Sequence, residues 1–200
     1  MNYLAHAYLS FQQPDILAGN MISDFVKGKK QFDYPITIQH GITLHRLIDT
    51  FTDTHSATKK ANTLFKPVVG AYAGAFTDIV YDHFLALDTT EQTEEQWQAF
   101  ASATYASLQS NSQLLPERFA RMLPFMQSQD WLFNYRHHWG IANSFEGLVR
   151  RAKYLDSSTA AFSAFENGYA FLQNCYADFF PEVKAYALES ITRLKLSAEK

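Results

Sequence analysis

The amino-acid sequence predicts an all-α fold in a single domain over residues 1–200, and three observations carry that expectation. Apolar residues recur at three- and four-residue steps through most segments, the pattern of helices that each bury one face. Alternating β-branched runs bounded by tight-turn dipeptides, which strands and hairpins require, are missing. With 200 residues and 47% hydrophobic content, the chain can close a real core and falls within the usual single-domain range of about 100 to 200 residues.

Breakers divide the chain in order at Pro14, Gly28-Lys29-Lys30, Pro35, Pro67, Asp88-Thr89-Thr90, Pro116, Gly140, Asp156-Ser157-Ser158 and Pro181. About eight to ten helices result. Proline lacks the N–H that the first helical turn leaves unused, so Pro35 and Pro67 predict helices near 36–53 and 68–87. No stretch is rich enough in Pro, Gly or Ser to form a linker, and no solenoid-like repeat is present. Residues 159–196, with Phe162, Phe165, Tyr169, Leu172, Tyr176, Phe179 and Phe180, read as packing helices that carry no chemistry.

Composition narrows the function. The lone Cys175 rules out an intramolecular disulfide and a cysteine-based zinc site, and fits a reducing cytoplasm. The opening Met1-Asn2-Tyr3-Leu4-Ala5-His6 has no basic leader, and no apolar run approaches the roughly 18 residues of a membrane span. Neither export nor membrane insertion is expected. A formal net charge of -3 argues against nucleic acid as a partner, and any acidic partner must meet a local basic patch.

Histidine and aspartate crowd the first 83 residues, as His6, Asp24, His40, His45, Asp49, Asp53, His55, Asp78, Asp82 and His83. On the helix near 36–53, His45 and Asp49 lie about 40° apart, with Thr52 returning to within about 20° of His45. Ile42, Leu44, Leu47, Ile48 and Phe51 surround this stripe, so it is not simply the solvated side. Buried carboxylates need partners or a metal. Asp78 and Asp82 repeat the four-residue step on the next helix, with His83 about 100° further round. Two such helices could converge on one cation. Imidazole and carboxylate without thiolate favour Mn, Fe, Mg or a mixed-ligand Zn site, with Mn or Mg preferred. Each pair taken alone also suits a solvated or mutually satisfied pair.

Asp24 lies between Ile22 and Phe25, just before Lys27-Gly28-Lys29-Lys30, a cluster suited either to phosphate or to a solvated helix end. His55 reads as a helix-end feature, and His137 and His138 as surface residues. Arg150, Arg151 and Lys153 form a second basic group.

These residues resemble, in order, a known family. Met1-Asn2-Tyr3-Leu4-Ala5-His6, Gly19-Asn20, Asp24-Phe25-Val26-Lys27-Gly28, Gly41-Ile42, Leu44-His45-Arg46, Ile48-Asp49, Thr52-Asp53, Asp78 and Asp82-His83-Phe84-Leu85 resemble the bacterial acyl-carrier-protein phosphodiesterases, helical relatives of the HD-type metal phosphohydrolases. Weaker echoes follow at Trp131-Leu132, Tyr135-Arg136 and Arg150-Arg151. One departure is that Asp82-His83 reverses the His-Asp order for which that wider group is named. The resemblance implies release of 4'-phosphopantetheine from holo-acyl carrier protein, with Mn2+ (or Mg2+) as cofactor. The expected metal ligands are Asp24, His45, Asp49, Asp82 and His83. Asp24 is also expected to act catalytically, with His6 and Asp78 in supporting or proton-transfer roles. Lys27, His40, Arg46, Arg150 and Arg151 are expected to hold the phosphate or the carrier. His40 sits about 140° from His45, so both reach one metal only if the helix breaks near Gly41. The rivals are an HD-like enzyme for a nucleotide or other small diester, and an inert helical module that binds the carrier.

Overall fold

The chain solves its helix ends locally before it packs. Pro14 occupies the first turn of α2 (Pro14–Ile22), where no N–H is needed. Thr93 and Gln96 form a reciprocal capping box at the start of α6 (Glu94–Ser110). Helix α1 (Tyr3–Tyr8) has only six residues and no side-chain cap of its own. Its start is closed from a distance by Asp82, whose carboxylate accepts the backbone N–H groups of Asn2, Leu4 and Ala5.

The computed structural model describes residues 1–198 and, among them, contains eleven α-helices, four short 3-10 segments and no strand. After α1 and α2 come α3 (Ile36–Thr54), α4 (Ser56–Val69), α5 (Ala73–Leu87), α6, α7 (Glu117–Ser128), α8 (Trp131–Asn134), α9 (His138–Val149), α10 (Thr159–Asn167) and α11 (Tyr169–Ala198). The 3-10 turns cover Ser23–Phe25, Gly28–Asp33, Gly70–Tyr72 and Ser112–Leu114. The all-α expectation therefore holds, with α3 close to its predicted span.

Three breakers behave differently from expectation. Pro67 lies in the last turn of α4, and the break before α5 is made by Gly70, whose φ of 57° is accessible to glycine at little cost. Gly140 does not divide helices but begins α9, where a Cβ would meet the Asn134 carbonyl oxygen at 2.0 Å. Pro181 lies inside the 30-residue α11. The lost backbone bond there is tolerated because Phe179, Phe180 and Val183, all buried, anchor the helix on both sides of it.

Aromatic packing fills the core. Phe76 meets Phe145 edge-on at 4.6 Å and Phe65 at 5.9 Å, joining α4, α5 and α9, while Tyr81 stacks on Phe179 at 4.9 Å to join α5 to α11. Each fully buried side chain of this size contributes about 1.5–3 kcal/mol. The C-terminal helices pack as expected, with Phe165, Leu172, Tyr176, Phe179 and Phe180 all buried.

Helices α2 and α3 cross in close contact at two glycines. A Cβ on Gly19 would lie 2.1 Å from the Ile38 carbonyl oxygen, and one on Gly41 would lie 2.3 Å from that of Ile16. Backbone thus touches backbone, and neither position can hold alanine without forcing the helices apart. Gly41→Ala should lower stability by roughly 2–4 kcal/mol. Gly74→Ala, where an added Cβ meets nothing within 4 Å, should be neutral or slightly stabilising. Thermal unfolding followed by circular dichroism separates the two. A Gly41→Ala protein melting within about 2 °C of the parent would contradict the contact.

Candidate metal centre

The glycine crossing sets the site by bringing Asn20, the residue after Gly19, against His45, four residues after Gly41. Nδ1 of His45 lies 2.7 Å from the Asn20 backbone oxygen, and Nδ1 of His6 lies 2.8 Å from the Asn20 side-chain oxygen. The Asn20 amide cannot be turned round, because its Nδ2 donates to the His6 carbonyl at 2.8 Å and to Ser10 Oγ at 3.1 Å. A carbonyl only accepts, so both Nδ1 atoms carry the proton. The two rings stack at 3.8 Å with an interplanar angle of 15°.

Both Nε2 atoms therefore present lone pairs in one direction, and what they face is a carboxylate. Nε2 of His6 is 3.2 Å from Asp49 Oδ1, and Nε2 of His45 is 3.1 Å from Asp49 Oδ2 and 3.3 Å from Asp24 Oδ1. The His45 Nε2 is buried and makes no aligned hydrogen bond. His6, His45 and Asp49 bring their ligand atoms within 4.8 Å of one another, the one such grouping among the described residues. Acceptors converging at low exposure require a positive charge between them, either a proton or a cation. The donor set of two imidazoles and a carboxylate fits a divalent ion of borderline or hard character.

The electrostatics reflect the same need. Burial disfavours charge on both histidines. It carries His6 down to about 4, helped by neighbouring His45. At His45 the carboxylates of Asp24 and Asp49 outweigh burial and hold the ring up at about 9. For Asp49 burial works upward, but His45 and His6 overcome it and hold the carboxyl well below the usual range. The bond to His45 likewise lowers Asp24. Asp24 has its side chain 71% exposed, against 40% for Asp49, so it forms the rim of the site while Asp49 forms the floor.

The remaining expected residues lie elsewhere. Asp78 sits 2.9 Å from the Met1 amino nitrogen, which is also 3.9 Å from Asp49, so it ties α1 to α5. Asp82 is fully buried beneath the start of α1, holding three backbone N–H groups, and burial pushes its carboxyl up to about 7. His83 points away, with Nδ1 2.7 Å from the Tyr135 carbonyl oxygen and Nε2 2.9 Å from the Tyr169 hydroxyl, and burial lowers it to about 4. The structure brings Asp24, His45 and Asp49 together and does not bring Asp82 or His83 to them. It adds His6, expected only in a supporting role.

Among the expected substrate-binding residues, Arg46 donates to the Val26 carbonyl at 3.1 Å and to Gln31, pinning the lysine-bearing turn. Lys27 is exposed, three residues after Asp24. His40 is buried in the unbroken α3, where burial and Lys195 lower its pKa, and it does not join the cluster. Arg150 and Arg151 line a separate cavity beside Tyr3. His55 accepts from the Ala57 N–H at 3.2 Å and caps α4. Asn20 belongs to the resemblance motif Gly19-Asn20 but is given no role by the sequence. Its signal is a single amide in the apolar run Ile16-Leu17-Ala18-Gly19-Asn20-Met21-Ile22.

The comparisons with known proteins agree with the family resemblance carried by the sequence. A family model described as acyl carrier protein phosphodiesterase matches residues 1–183. An acyl carrier protein phosphodiesterase of Photorhabdus laumondii is 31% identical over 182 residues, 90% of this chain and 92% of that one. One from Salmonella paratyphi A is 30% identical over 188 residues, 94% of this chain and 97% of that one. No solved structure gives a significant match. The chain belongs to the acyl carrier protein phosphodiesterase family.

Proposed function

We propose that this chain hydrolyses the phosphodiester between 4'-phosphopantetheine and a serine of holo-acyl carrier protein, using Mn2+ or Mg2+ held by His6, His45 and Asp49. The observation that carries this reading is the convergence of two oriented Nε2 lone pairs on one carboxylate, with Asn20 fixing both tautomers. The relatives, which are acyl carrier protein phosphodiesterases, suggest the substrate. Absence of thiolate from the donor set favours the harder ions. We place the reaction in the cytoplasm, in keeping with the lone, free Cys175.

A bound divalent ion would lower the pKa of water and neutralise phosphoryl charge. The chain's own groups do the rest. Asp24, at the exposed rim and 3.3 Å from His45, takes the proton from the attacking water and returns one to the departing serine oxygen as the P–O bond breaks. Asp49 and the stacked histidines hold the reacting centre at a fixed place, and Asn20 prevents either ring from turning. Lys27, Lys29 and Lys30, exposed beside Asp24, meet acidic groups of the carrier.

Incubation with holo-carrier and Mn2+ should remove the phosphopantetheine mass, and Asp24→Ala should reduce turnover by about 10²–10⁴-fold while leaving the circular dichroism spectrum unchanged. A folded Asp24→Ala enzyme of normal activity would return that carboxylate to a structural role.

The pH dependence follows from His45. Its folded pKa is raised to about 9, so its protonated form stabilises the metal-free fold fully below about 6.5, and that contribution is lost as pH rises toward 9. A divalent ion held by His45 would take the place of this proton. Stabilisation by Mn2+, measured as a melting-temperature increase over a chelated sample, should therefore be larger at about pH 8.5 than at about pH 6. Equal stabilisation at both, or none, would remove His45 from the ligand set.

A further inference from the structure

A cavity of about 370 Å³ is walled by α8, α9 and the start of α1, and none of His6, His45 and Asp49 lines it. Its volume lies in the small-ligand range of about 300–1,000 Å³. What sets its lining apart is unpaired charge. Arg121, Arg136 and Arg193 pair with Glu117, Glu94 and Glu189, whereas Arg150 and Arg151, both in the cavity wall, form no ion pair among the described residues. Glu146, also in the wall, stands four residues before Arg150, a spacing at which the two could join, yet they do not. Arg151 draws down the hydroxyls of Tyr3 and Tyr135, two further wall residues whose burial pushes them up, so its charge lies toward the cavity interior. Two guanidinium groups against one carboxylate make the cavity electropositive.

The remaining wall is aromatic and amide. Trp139 is 54% exposed and is braced by His137, whose ring stacks on it at 5.5 Å and 11°. Trp131 has its indole N–H committed to Gln129 at 2.9 Å, which leaves the ring to act through its faces. Asn143 carries no side-chain hydrogen bond among the described residues, so its amide is free both to donate and to accept. These groups are aligned by the helix. Trp139, Asn143, Glu146 and Arg150 follow one another at steps of four, three and four residues, which puts all four within about 60° of arc on one face of α9 and spreads them over about 16 Å. An indole face takes a nucleobase, an asparagine amide matches the donor and acceptor on an adenine edge, a carboxylate accepts from ribose hydroxyls, and paired guanidinium groups clasp phosphate oxygens.

We propose that this cavity binds a purine nucleoside 5'-phosphate, with the base against Trp139 and Asn143, the ribose at Glu146 and the phosphate between Arg150 and Arg151. The site is separate from the metal centre and does not depend on the phosphodiesterase reading.

Adenosine 5'-monophosphate is titrated into the full chain in the presence of a chelator and followed by tryptophan fluorescence and calorimetry. Because Trp131 and Trp139 both line the cavity, the fluorescence should change and saturate, with a Kd below about 1 mM. Adenosine and inorganic phosphate, each carrying half of the recognised chemistry, should bind at least about tenfold more weakly. Arg150→Gln combined with Arg151→Gln changes two exposed side chains and should fold, and it should weaken the nucleotide at least about tenfold. Gly147→Leu, at a wall position where an added Cβ meets nothing within 4 Å, should fold and do the same by filling the cavity. His45→Ala should leave the affinity unchanged. Absence of saturation, inorganic phosphate binding as tightly as the nucleotide, or indifference to both the arginine pair and Gly147→Leu overturns the proposal. Binding that needs Mn2+ and is lost in His45→Ala places the nucleotide at the metal centre and overturns the cavity assignment.

Discussion

The contact between Gly19 and Gly41 is the constraint on which the site depends. Because each position would place a Cβ within 2.3 Å of a facing carbonyl oxygen, α2 and α3 meet backbone to backbone. That approach lets the Asn20 main-chain oxygen reach His45 on α3 while its side chain reaches His6 on α1. One asparagine on α2 thus sets the tautomer of two imidazoles, one on α1 and one on α3. Wider crossing by even one methyl group would break the 2.7 Å bond to His45 and free its ring.

Helix α1 depends on a second set of contacts. Six residues is too short for a helix to persist on its own in water. Asp82 supplies the missing cap from α5, and Asp78 binds the Met1 amine. Both carboxylates therefore belong to the apparatus that fixes His6, although neither touches the cluster. Asp82 is tolerated in the interior because three backbone N–H groups donate to it, and the half-buried Asp78 because it pairs with the Met1 amine. Removing those partners would leave an uncompensated buried charge.

How far the site can be read from sequence follows from geometry. His45 and Asp49 are legible because residues four apart share a helical face, and the apolar residues around them betray burial. Asp82 and His83 mislead because adjacent helical residues diverge by about 100°, so one meets α1 while the other meets Tyr135 and Tyr169. His6 joins the site only through the packing of α1 on α2, which no spacing within α1 reveals. The ordered resemblance marks Gly19-Asn20 and Gly41, yet their purpose appears only when the two helices cross. The helix pattern is legible where local chemistry decides it, as at Pro14 and Pro35. It is not at Pro67 and Pro181, where buried neighbours carry a helix through or up to a proline.

The central claim is that His6 and His45, oriented by Asn20, hold a divalent ion together with Asp49. Electron-spin-echo spectroscopy of the Mn2+-loaded protein, prepared with 15N-labelled histidine, tests it most directly. The account predicts coupling to two histidine nitrogens, falling to one in His6→Ala, while His83→Ala leaves both. A manganese ion coupled to no histidine, or one that loses a nitrogen in His83→Ala, would contradict it.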